Sequence, residues 1–81
     1  MYYVYILKSQ KDGSRYVGVT EDLKRRIHEH NSGSARYSCT KRPFALIWYS
    51  AFVEKQTAYE FEKYLKSSLG YAFTKKHLVK I

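Results

Sequence analysis

Residues 2–9, YYVYILKS, and 15–20, RYVGVT, are runs of aromatic and β-branched side chains, the composition of strands. Between them KDGS holds an Asp-Gly pair, which predicts a tight turn and a hairpin. The period then changes. Leu23, Arg26, Ile27 and His30 fall at i, i+3, i+4 and i+7, one face of a helix. Thr20 is the expected N-cap, with Glu21 and Asp22 in the electropositive first turn. NSGS closes that helix at Gly33. After a basic, polar loop over 34–43, FALIWYSAFV (44–53) predicts a third strand, apolar enough to lie centrally or to be covered on both faces. Thr57 and Glu60 have capping-box spacing. A second helix starts there, or a residue or two earlier, and runs through AYEFEKYLKSSL (58–69) to Gly70. A short third helix over about 72–79 completes the chain. The order β-β-α-β-α-(α) predicts an α/β chain of the α+β type, with a three-stranded, mainly antiparallel sheet flanked by helices.

The core-facing stripes are interrupted by chemistry. Half of the first helix's apolar face is Arg26 and His30, which are stacked neighbours four residues apart. On the second helix the stripe Ala58, Phe61, Glu62, Leu65, Leu69 carries Glu62 at one edge. An unpaired charge is expensive to bury, so such residues are either paired or line a cleft. The packing alternative has them snorkelling at stripe edges, with Arg26 paired to Glu62 or Glu29. Three together, of types suited to phosphate, proton transfer and metal, favour a site. Alternation along the strands adds Tyr5 on the first, and Tyr16 and Gly18 on one face of the second. Glycine weakens a strand interior and often marks close approach of a backbone or ligand.

A length of 81 residues predicts one domain over 1–81 with a thin core. Nine Tyr, four Phe and one Trp supply the bulk that a short chain otherwise lacks. The single cysteine, Cys39, excludes a disulfide scaffold or a cysteine-rich zinc site and suits a reducing cytosol. MYYVYIL at the start is too short for a signal peptide or a membrane span, so a cytoplasmic protein is expected. Fifteen Lys and Arg against seven Asp and Glu leave a net charge of +8, which favours polyanionic partners.

YVY (3–5), YVG (16–18), DLKRRIHEH (22–30) and AYEFEKYLKSSLG (58–70) together resemble the GIY-YIG nuclease superfamily. The resemblance is greatest to small single-domain members similar to the N-terminal nuclease domain found in the excinuclease ABC system. It covers essentially the whole chain. The glycine that opens the family's first motif is Tyr3 here. The resemblance implies that Tyr5 and Tyr16 are the signature tyrosines, Arg26 the helix arginine, His30 the histidine one turn on and Glu62 the metal-binding glutamate. Lys66 matches a common basic position.

What the resemblance implies is metal-dependent endonucleolytic hydrolysis of DNA, weakly sequence-selective or structure-selective, in a DNA-repair setting. The alternative is a nucleic-acid-binding module of the same fold with little or no cleavage. One divalent ion, Mg²⁺ or Mn²⁺, is the implied cofactor, and a lone carboxylate suffices for it once phosphate oxygens complete the shell. Arg26 would steady developing negative charge. Tyr5 or Tyr16 would position or deprotonate the attacking water, and His30 would relay its proton. Gly18 would leave room for the nucleic-acid backbone. Arg25, Arg36, Lys41, Arg42 and Lys66 are the candidate phosphate contacts. Monomer and homodimer stay open.

Overall fold

In the computed structural model, described over residues 1–32 and 41–78, the elements are β1 (Tyr2–Ser9), β2 (Arg15–Thr20), α1 (Leu23–Ser32), β3 (Phe44–Phe52), α2 (Lys55–Lys66) and α3 (Ser68–Phe73). One π-helical turn, Thr74–Leu78, follows α3. The sheet is antiparallel throughout, in the order β2-β1-β3. The architecture is the expected α+β one. The position of β3 corrects the sequence reading: it lies at an edge, and β1 is central. β1 alone is covered on both faces, with Val4, Ile6 and Leu7 at 0% exposure and Tyr5 at 3%, whereas Tyr49 on β3 is 53% exposed.

The hairpin closes as its residues dictate. Gly13 takes φ 77°, a left-handed conformation open to glycine at little cost. The Asp12 carboxylate accepts from the Ser14 amide at 2.9 Å and its hydroxyl at 2.7 Å. Those bonds hold the Asp12 carboxyl well below the usual carboxylate range.

Two helix starts differ from expectation. The N-cap of α1 is Asp22, whose Oδ1 accepts from the Arg25 amide at 3.0 Å. Thr20 sits one step back and accepts from the Asp22 amide at 3.1 Å. α2 starts at Lys55 after Glu54, without a side-chain cap bond, so Thr57 lies within the first turn. The end of α2 differs too. It stops at Lys66, and Ser67 Oγ accepts from the Gly70 amide at 3.1 Å to start α3. Gly70 is buried inside α3, because a Cβ there would strike the Tyr64 carbonyl. The break changes the helical phase, and Leu69 ends 74% exposed rather than in the core. The expected closure at Gly33 lies outside the described residues.

Each face of the sheet has its own core. Val4 and Ile6 pack with Ala58 and Leu65 of α2, joined by Val17, Val19 and Phe61. Tyr5 and Leu7 pack with Phe44 on the other face, joined by Tyr16 and by Leu23 and Ile27 of α1. A register shift places Ile6 opposite Trp48 and Leu7 opposite Leu46. Ile47 is therefore the extra residue of a bulge. The bulge lets Leu46 serve the α1 face while Trp48 serves the α2 face.

Candidate functional site

The α1 face brings four of the expected residues together. In the β1–β2 register Tyr5 lies opposite Gly18 and Leu7 opposite Tyr16, so these side-chain positions share one face. α1 lies over them through Leu23 and Ile27, and this presents Arg26 and His30 to Tyr5. The Tyr5 hydroxyl is hydrogen-bonded to His30 Nε2 at 3.3 Å. Arg26 Nε donates to the same hydroxyl at 3.4 Å. Both bonds are long, as hydrogen bonds in substrate-free sites often are.

His30 is 4% exposed and boxed by aromatic rings. Its ring centroid lies 5.9 Å from Tyr16, 5.7 Å from Phe44 and 6.1 Å from Tyr5. Burial, reinforced by the Arg26 charge, pushes the imidazole below its ordinary range against a smaller opposing pull from Glu29. The ring is therefore neutral near pH 7.

Arg26 is gripped from the other side. Its Nη1 donates to Glu29 at 2.9 Å, and Arg25 Nε reaches the second Glu29 oxygen at 3.2 Å. The bonds to Glu29 and Tyr5 hold the Arg26 guanidinium still more firmly protonated. The same contact with Arg26 lowers the Glu29 carboxyl. Arg26 opens on a cavity of about 270 Å³ shared with Thr20, Asp22, Arg25 and Glu29.

Room at Gly18 is used differently from the expectation. An added Cβ would lie 2.5 Å from the Tyr5 hydroxyl and 2.7 Å from Cζ. The phenol of Tyr5 fills the space that the sequence reading gave to the nucleic-acid backbone.

Glu62 stands apart from this cluster. It lies on α2, which packs on the opposite face of the sheet, and pairs with Lys66 Nζ at 2.9 Å. Tyr5 bonds to His30 and Arg26, and Arg26 to Glu29; none of these bonds reaches Glu62. The two sides approach each other at the edge strand β2, where Tyr16 and Lys66 line one cleft. The side chain of Glu62 is 18% exposed. Among the described residues no three of His, Cys, Asp or Glu converge as metal ligands.

The other basic candidates are dispersed. Arg25 is 75% exposed at its side chain despite its Glu29 contact. Lys41 Nζ lies 3.4 Å from Asp12, Arg42 is exposed, and Arg36 lies outside the described residues. Sequence reasoning missed Asn31. Its amide accepts from the Phe44 backbone at 2.6 Å and donates to the Phe44 carbonyl at 3.2 Å, tying the end of α1 to the start of β3. Only tertiary proximity reveals that bond, since thirteen residues separate the partners. No helix among the described residues is long and apolar enough to cross a membrane.

A three-stranded antiparallel sheet with paired tyrosines under an arginine- and histidine-bearing helix matches a known class. Residues 1–76 match the model of the GIY-YIG catalytic domain, and the chain belongs to the GIY-YIG family. Its relatives include small proteins named UPF0213. It is 42% identical over 65 residues to the UPF0213 protein of Streptococcus pneumoniae serotype 4, a match covering 79% of this chain and 65% of that one. The chain thus spans somewhat less than two thirds of that relative. It is 46% identical over 66 residues to UPF0213 protein BH0048 of Halalkalibacterium halodurans, covering 80% and 69%. The solution NMR structure of UPF0213 protein BH0048 from Bacillus halodurans superposes with TM-score 0.60 at 36% identity, over 99% of this chain and 89% of that one.

Proposed function

We propose that this protein is a divalent-metal-dependent endonuclease that hydrolyses phosphodiester bonds of DNA with weak sequence selectivity or with preference for a structure. The carrying observation is the buried hydrogen-bonded set Tyr5, His30 and Arg26 beside a small open cavity. Membership of the GIY-YIG family supports the nuclease class. A cytoplasmic role in DNA repair is the matching setting.

Arginine is only a donor, so the Tyr5 oxygen accepts from Arg26 Nε and its own proton is directed to His30 Nε2. His30 is neutral and can take that proton. Tyr5 is therefore the tyrosine that accepts a proton from the attacking water, with His30 as its relay. Tyr16 walls the imidazole and holds its orientation. Arg26 turns its planar fork from Glu29 to the phosphate and stabilises the charge that grows there. Arg25, Lys41, Arg42 and Lys66 supply further phosphate contacts.

Glu62 fits Mg²⁺ or Mn²⁺. It is a hard oxygen donor, largely sheltered, and already holds a cation in the Lys66 ammonium. The bound metal would polarise the phosphoryl oxygen and stabilise the leaving oxygen. The pairing of Glu62 with Lys66 on the far face of the sheet also favours the second reading, a nucleic-acid-binding module that cuts poorly.

The test is cleavage of single-stranded, duplex, flapped and nicked DNA with Mg²⁺ or Mn²⁺. Glu62→Gln should abolish cutting and leave metal-free binding unchanged or slightly tighter, since a negative charge facing phosphate is removed. Arg26→Ala should weaken both. Binding without any cleavage by the wild type selects the second reading. Equal cleavage by Glu62→Gln and wild type removes the metal role from Glu62.

A further inference from the structure

A second cleft, of about 540 Å³, opens beside the edge of β2. Its walls include Lys8, Arg15, Tyr16, Lys66 and Tyr71, and no carboxylate lines it. Lys8 and Arg15 lie directly opposite each other in the β1–β2 register. Like charges so placed repel and destabilise a sheet, and an anion between them reverses the sign of that interaction. Arg15 Nη1 is buried and makes no hydrogen bond among the described residues. A buried charged donor without a partner is costly. The Arg15 guanidinium also lies over the Tyr71 ring, 4.8 Å from its centroid, which holds the fork in one place. Tyr71 itself is 55% exposed.

We propose that this cleft is an anion subsite that holds one phosphate of a single-stranded nucleic acid between Lys8, Arg15 and Lys66, with the adjoining base against Tyr71. Three cations and an exposed aromatic ring are the elements by which single strands are bound. A single strand can fold a phosphate inward to a buried guanidinium, which the rigid outer surface of a duplex cannot do. Tyr16 and Lys66 place the cleft next to the candidate nuclease residues, so a strand passing the edge of β2 reaches both. The strand as ligand rests on the nucleic-acid function proposed above; the anion subsite rests on Lys8 and Arg15 themselves.

The experiment measures metal-free binding of a short single-stranded oligonucleotide and of a duplex of equal length across a salt series. Lys8→Gln and Arg15→Gln should each lower single-strand affinity severalfold and reduce the salt slope by about 0.7. Tyr71→Ala should lower single-strand affinity about tenfold, and duplex affinity should change little in all three. A parallel arm records Tm with and without a nucleoside monophosphate. The nucleotide should raise Tm of the wild type and not of Arg15→Gln. Lys8→Gln should not lower Tm without ligand, because it relieves repulsion. A nucleotide-dependent Tm shift without oligonucleotide binding keeps the anion subsite and removes both the strand and the nuclease reading. Unchanged affinity, salt slope and Tm response in both Gln variants overturns the proposal.

Discussion

Gly18→Ala separates two uses of the same glycine. If Gly18 merely makes room for a ligand, a methyl group there leaves the free protein intact and even favours the strand. The structure predicts damage to the free protein. The new Cβ would stand 2.5 Å from the Tyr5 hydroxyl, 2.7 Å from Cζ and 3.1 Å from Cε1. Tyr5 is 3% exposed and bonded to His30 and Arg26, so its ring has no free space to enter. Overpacking of this kind costs about 1–3 kcal/mol. Loss of the bond from Arg26 adds on the order of 1 kcal/mol. Reduced freedom of the unfolded chain returns about 0.5–1 kcal/mol. The net destabilisation is about 1–3 kcal/mol, which for a domain of this size lowers Tm by about 10 °C. Urea and thermal unfolding measure it. Tyr5→Leu removes the hydroxyl and the distal ring carbon, so in that background the cost of Gly18→Ala should fall by about 1–2 kcal/mol. An equal cost in both backgrounds, or a Tm unchanged by Gly18→Ala, refutes the contact as the reason for glycine.

Two further outcomes follow from α1. Burial and Arg26 lower the His30 pKa in the fold, so on acidification the unfolded chain binds its proton first, at about pH 6.5. The His30 contribution to stability is therefore complete above that value and lost as pH falls toward the lowered folded value; urea midpoints compared at about pH 7.5 and 5.5 should show a drop that His30→Gln reduces. Glu29→Gln frees Arg26 and Arg25 from a partly exposed partner, so unfolding should register a loss below about 1 kcal/mol while affinity for nucleic acid rises severalfold; a fall in affinity would instead make Glu29 the group that aims Arg26.

Short-range physics made much of this molecule legible in its sequence. Two β-rich runs around Asp-Gly determine a hairpin, because turn chemistry and strand alternation are local. Helical spacing of Leu23, Arg26, Ile27 and His30 places polar groups on a core-directed face before any coordinates are known. Helix ends are harder. Asp22 rather than Thr20 caps α1, since two adjacent acceptors compete and the chain's exit from β2 decides between them. Gly70 reads as a stop, yet it is buried because the Tyr64 backbone lies against it.

Tertiary structure alone decided the rest. The bulge at Ile47 shifts the side-chain phase of β3 between the two cores, and no local pattern specifies that. Sheet order put β1 at the centre, because only β1 has apolar side chains covered on both faces. The separation of Glu62 from Arg26 depends on which face each helix covers. So does the meeting of Lys8 and Arg15 with Tyr71, which comes from an element more than fifty residues further along the chain. Residue types and spacing set which chemistry the chain carries. Long-range packing sets which of those groups can act together.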